Sequence, residues 1–291
     1  MSKTNLMKLI SMGMMLILIL SCNLPILQQS NIEAPTQTLG QPTSPIQPTI
    51  PKVPPTQPAE EPSSTPEPDV NFNGISFSYD KSLSSGVETA IVPASIVPDG
   101  AAFENYPEFT RFKFNGYVLQ DKFFEPTIEV YPVNEYIQMS EPAAKIITEF
   151  QDLMSREPAA PENIPHLPIW NAAQLMQAHV KYLKFQNGSG VRFLTQYAQS
   201  FVPINNHDMF YCFQGMTENE SYFISITLPV NHPSLPPNYE SIPNNDWEAF
   251  SNQFPTYIIE IEQKISAQPA DSFIPRLDLL DQMVETILIS K

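Results

Sequence analysis

Between Leu24 and Val70 the chain carries about 12 of its 31 prolines, set among Thr, Gln, Ser and Glu with hardly an aromatic beside them. Proline fixes φ and removes an amide donor, so such a stretch samples extended polyproline II geometry instead of packing. It is expected to be a tether. At about 3.1 Å per residue, its roughly 47 residues reach on the order of 140 Å when fully extended. What folds must then come from about 220 residues downstream, enough for one large domain or two small ones.

Ahead of the tether, Lys3 and Lys8 precede an apolar run from about Leu9 to Leu20 that ends Ile19-Leu20-Ser21-Cys22. Crossing a bilayer takes about 20 apolar residues, so this run is too short for a plain anchor. A basic start, a short apolar stretch and a small residue before the break describe a secretory signal, and a cysteine directly after the small residue makes it a lipid-attachment site. The four residues resemble the lipobox of bacterial lipoproteins. The resemblance implies cleavage between Ser21 and Cys22, acylation of the Cys22 thiol, and a lipid-anchored, extracytoplasmic place at the cell membrane or outer envelope. Asn23, not Asp, follows the cysteine, so the inner-membrane retention signal of enteric lipoproteins is missing. The expected layout is a signal over 1–21, lipidated Cys22 and tether over 22–70, and a folded part over 71–291.

The formal net charge is −16, and about −14 of it falls after position 70. Phosphate binding draws on clustered Lys and Arg, so this surface argues against nucleic acid as a partner. Arg111-Phe112-Lys113-Phe114 interleaves basic and aromatic residues, which an alternating strand explains better than a base-stacking platform. Once Cys22 is assigned to lipid, Cys212 has no partner for a disulfide. Within Phe210-Tyr211-Cys212-Phe213 it reads as a small, buried hydrophobe.

Ile75 to Tyr79, Val87 to Val92, Phe109 to Tyr117 and Thr127 to Tyr131 carry strand patterns. After Glu141-Pro142 the period changes, with Ile146, Ile147, Phe150, Leu153 and Met154 lining one helical face until the prolines at 158, 161, 165 and 168. Residues 171 to about 178 are compatible with helix. Val180–Phe185 and Val191–Tyr197 flank the turn Gln186-Asn187-Gly188-Ser189-Gly190 and read as a hairpin; Met209–Gln214 and Tyr222–Leu228 read as another. Asp246 caps a helix through about Phe254, Pro255 interrupts it, and Ile258, Ile261 and Ile265 resume helical spacing. A last helix starts at Pro275, with Leu277, Leu280, Val284 and Leu288 on one face. This order is not βαβ alternation. It predicts an α+β domain, an antiparallel sheet of about seven or eight strands with helices packed on its faces.

Gly74-Ile75-Ser76-Phe77-Ser78-Tyr79 opening the domain, with a helix ending it, is similar to the PsbP-like α/β/α sandwich. Taken with Phe185-Gln186-Asn187-Gly188-Ser189-Gly190-Val191-Arg192-Phe193, region 72–291 resembles bacterial lipoproteins sharing this tether-plus-domain layout. The resemblance implies an address and a fold, and it brings no functional residues with it.

The search for chemistry returns no catalytic set, no metal and no cofactor. The histidines at 166, 179, 207 and 232 stand at no ligand spacing; a solvated side chain is the default for His179. Gly188-Ser189-Gly190 falls short of the Gly-x-Ser-x-Gly elbow. Asn205-Asn206-His207-Asp208 collects oxygen donors but only one carboxylate, so a hydrogen-bonded loop is favoured over a calcium site. The remaining acids read as dispersed over helix faces. Eight aromatics lie between Tyr106 and Tyr131: Tyr106, Phe109, Phe112, Phe114, Tyr117, Phe123, Phe124 and Tyr131. Most must be core, and any left exposed mark a surface for protein or glycan. The leading expectation is a lipid-anchored binding or accessory module whose partner is an envelope protein, glycan or small ligand. The alternative is an envelope hydrolase with a dispersed site, with Ser189 and His207 as its named pair.

Overall fold

The computed structural model describes residues 67–242 and 245–291; the expected signal, Cys22 and nearly all of the tether lie outside the described residues. The first element is a hairpin. Asn73 and Gly74, both at positive φ (51° and 70°), turn β1 (Val70–Phe72) back onto β2 (Ile75–Phe77). Asn-Gly suits a two-residue turn because both residues tolerate left-handed backbone. Pairing thus starts at Val70, one residue inside the stretch assigned to the tether.

A meander follows, through β3 (Gly86–Val92), β4 (Phe109–Asn115) and β5 (Thr127–Pro132). Helices α1 (Val133–Met139) and α2 (Glu141–Arg156) come next. After them lie β6 (Ala173–Gln174), β7 (Ala178–Phe185), β8 (Gly188–Thr195) and β9 (Tyr197–Ala198). The chain then forms β10 (Phe210–Thr217), β11 (Tyr222–Pro229), α3 (Trp247–Ser266), α4 (Leu277–Glu285) and β12 (Leu288–Ile289). Seven strands make one antiparallel sheet in the order β3-β4-β5-β11-β10-β8-β7, so the α+β expectation holds. Strand β12 joins β2, and Ser290 N donates to Gly74 O at 2.7 Å, clasping the two ends of the domain together.

The sheet is buried on both faces, which period-2 alternation makes feasible. Along β10, Phe210, Cys212 and Met216 point to one core, and Tyr211 and Phe213 to the other. On the first face lies α2, whose Ala143, Ile147, Phe150 and Leu153 are buried at helical spacing. Its start is fixed by Ser140, whose Oγ accepts from Ala143 N at 3.3 Å. Phe150 meets Phe223 edge-on, with ring centroids 5.0 Å apart. The second face packs against α3, α4 and the β1-β2-β12 sheet. Cys212 sits wholly buried as a free thiol, and burial pushes it far above its ordinary range, which favours the packed thiol over the reactive thiolate.

Four local expectations are corrected. Helix α3 runs unbroken through Pro255, because Ile261 and Ile265 beyond it are buried in the sheet core, and their packing outweighs the one hydrogen bond that proline removes. Leu288 is on a strand and not on the last helix. Thr286 ends that helix, its Oγ1 accepting from Ser78 N at 2.9 Å and donating to Ser78 O at 3.0 Å, which draws the chain alongside β2. Residues 171–178 are not helical; they contain β6, which pairs with β9. The β8 strand begins at Gly188, so the turn is only Gln186-Asn187 and Ser189 lies inside the ladder.

The acids are also not all dispersed. Asp281 of α4 is 5% exposed and receives Arg192 Nε at 3.0 Å and Tyr211 OH at 3.1 Å on one oxygen. Its other oxygen takes Arg192 Nη2 and Lys181 Nζ, each at 2.9 Å. Burial works to raise this carboxyl, but the hydrogen bonds and charges of Arg192 and Lys181 outweigh it and hold it below the usual aspartate range. His179, expected in solvent, is half-buried at φ 54° in the β7 bulge, its ring edge-on to Phe273 at 5.1 Å.

Candidate functional site

Helix α2 covers only part of its sheet face. Around Phe109, Tyr131 and Phe210 the cover is irregular chain, and there a groove opens lined by rings. Phe124, from the β4–β5 loop, stacks on Trp170 with centroids 4.9 Å apart and planes 17° off parallel. Trp170 in turn meets Tyr197 edge-on at 4.9 Å, and His166 packs behind both at 4.4 and 5.0 Å. Phe210, fully buried, packs behind them, 4.6 Å from Phe124 and 5.7 Å from Trp170. Aromatic pairs at these separations attract one another beyond their area burial, so each ring buttresses the next around the groove.

Phe123 is the exception, standing 66% exposed over the rim, edge-on to Phe124 at 4.9 Å. Tyr239, 46% exposed, lines the same cavity of about 740 Å³. Of the aromatics between Tyr106 and Tyr131, Phe123 is the one that is exposed. Two further cavities adjoin the main one. A recess of about 310 Å³ shares Phe124 and Trp170 with it, and a cavity of about 680 Å³ shares Trp170, Asn171, Gln199 and Ser200.

Two polar groups punctuate the groove. In the recess, Glu129 accepts from Arg111 Nε at 2.8 Å and from Tyr131 OH at 2.5 Å. Burial and the Glu129 charge push the Tyr131 hydroxyl well above its ordinary range, so it stays protonated as the donor. At the other wall, His207 Nδ1 lies 2.5 Å from Asp208 Oδ1. The 205–208 loop is hydrogen-bonded within itself, as its sequence suggests: Asn205 Oδ1 accepts from His207 N and Asp208 N at 3.0 and 3.1 Å, and Asn205 Nδ2 donates to Asp208 Oδ2 at 2.8 Å.

The geometry separates the named hydrolase pair. Ser189 pairs with Met216 at one end of β10, whereas His207 precedes Phe210 at the other, a distance of roughly 20 Å at about 3.3 Å per residue. Among the described residues no hydroxyl or thiol is hydrogen-bonded to His207, so its contact with Asp208 lacks the nucleophile that such a dyad would activate. His166 and His232 lie in loops as expected, but both are buried: His166 behind Trp170, its pKa lowered to about 4 by burial, and His232 between the hydroxyls of Ser234 and Ser272 at 2.8 and 3.2 Å.

Trp170, Tyr197 and Tyr239 belong to no sequence motif that would mark them as site residues. One signal is available: Trp170 is one of only two tryptophans, placed in a proline-rich stretch where no periodicity buries it. No family model, no curated protein and no solved structure matches the chain.

Proposed function

We propose that the chain is a lipid-anchored extracytoplasmic binding module, held to the membrane through Cys22 and presenting its ring-lined groove at the end of a tether. Phe123 is the observation that carries the binding reading. A phenylalanine two-thirds exposed at the rim of a ring-lined cavity leaves most of its apolar face free and suits a ligand contact. The Ile19-Leu20-Ser21-Cys22 sequence supports the anchor.

Two measurements test the two halves. Cys22→Ser is expected to abolish incorporation of labelled palmitate in the producing cell, and labelling equal to the parent would remove the anchor. For the groove, the full chain is sedimented with envelope fragments stripped of lipid. Phe123→Ala is expected to weaken cosedimentation about tenfold while leaving the melting temperature in place, since the ring is largely solvated. Equal sedimentation of variant and parent would exclude the groove as the contact.

A further inference from the structure

We infer that the groove holds a neutral oligosaccharide chain, an inference that rests on the binding-module reading and names its ligand. Three observations converge on this chemistry. The first is shape. Trp170 lines all three cavities, so they adjoin at its ring and together offer room for more than one sugar unit. The second is the mixture of groups. A sugar ring has an apolar C–H face and a rim of hydroxyls, so it is matched by aromatic rings next to planar amides and hydroxyls. Phe123 and Tyr239 supply exposed rings, and Asn171, Gln199 and Ser200, all exposed, supply side-chain donors and acceptors along the same wall.

The third is charge. The main cavity has no lysine or arginine in its lining, Arg111 in the adjoining recess is already paired with Glu129, and the whole chain carries −16, so a phosphate- or uronate-rich polymer finds little counter-charge there. An acyl chain fits no better. It would cover the exposed amide of Asn171 and hydroxyl of Ser200 without offering either a hydrogen bond, at a cost that its own burial must first overcome.

Trp170 itself can report the result. The chain has two tryptophans, so Trp247→Phe in the full-length protein leaves Trp170 as the single emitter, in the middle of the groove. Its fluorescence is titrated with cellohexaose, chitohexaose and xylohexaose, and in parallel with a neutral hexapeptide and with a non-ionic detergent monomer. The expected result is a saturable shift with at least one hexasaccharide, with binding weakened about tenfold by Phe123→Ala and about fivefold by Gln199→Ala. A response to peptide or detergent, with none to any hexasaccharide up to about 10 mM, overturns the saccharide assignment and leaves the binding groove standing. No response to any of the three classes overturns both.

Discussion

Asp281→Asn is expected to lower the stability of the folded domain by about 3–5 kcal/mol, because it leaves Arg192 buried without its charge partner. The Arg192 side chain is 5% exposed and spends Nε and Nη2 on that carboxylate, with its remaining nitrogen on the His179 carbonyl. Nothing else in reach neutralises it. Lys181, half-exposed at 52%, can turn to water, so Lys181→Ala is worth under about 1 kcal/mol. Urea unfolding of the full chain measures both. A double variant, Arg192→Leu with Asp281→Leu, is expected to be less destabilised than the single variant Asp281→Asn, since the penalty comes from the unpaired ion and not from loss of the pair. The pH dependence follows from the sign of the shift. The Asp281 carboxyl is held below its ordinary 3.8, so its contribution is fully present above that value and is lost as pH falls through the depressed one. The single variant should therefore lose less stability than the parent between neutral pH and strong acid. An Asp281→Asn protein within about 1 kcal/mol of the parent at neutral pH would mean that Arg192 finds water or another acceptor.

This ion cluster also shows where sequence reading stops. Asp281 follows Leu280 on a helix and looks like any solvated acid, and its partner Arg192 is 89 positions away on a strand. Only the antiparallel sheet, with α4 laid across it, brings them together. The groove is hidden for the same reason: Phe124, Trp170, Tyr197 and Phe210 come from four separate segments, none with a motif of its own. Local patterns are different. Alternation in Arg111-Phe112-Lys113-Phe114 buries Phe112 and Phe114 on one face, and the spacing after Pro142 delivers α2 with its buried stripe. Asn73-Gly74 is equally legible as a hairpin turn, although the alternation from Ile75 onward is the louder signal and masks the short strand before it. Leu288 misleads because its spacing from Val284 continues the helix, whereas the Thr286 contacts to Ser78, 208 positions away, end it.

The second large effect concerns Gly190, from the Gly188-Ser189-Gly190 stretch, and the glycine opposite it. Gly190 and Gly215 face each other across β8 and β10, and the Phe213 ring lies over both. A Cβ built on Gly215 would come 2.5 Å from that ring, and one on Gly190 would strike both the ring, at 2.6 Å, and the carbonyl oxygen of Gln214. The glycines are therefore required by close approach, and Phe213 fills the space their missing side chains leave. Phe213→Ala is expected to cost about 3–5 kcal/mol, at the upper part of that range, because three adjacent positions then lack side chains and the ladder prevents collapse. Gly190→Ala is expected to cost about 1–3 kcal/mol by overpacking. Combining them separates the two clashes. If the ring alone obstructed Gly190, Gly190→Ala would become harmless in the Phe213→Ala background. Because the Gln214 carbonyl is backbone and stays, a penalty should persist, with a coupling of about 0.5–3 kcal/mol for the part the ring contributes. Strict additivity in the unfolding data would show that Phe213 does not rest on Gly190 at all, and that the glycine pair answers only to the neighbouring backbone.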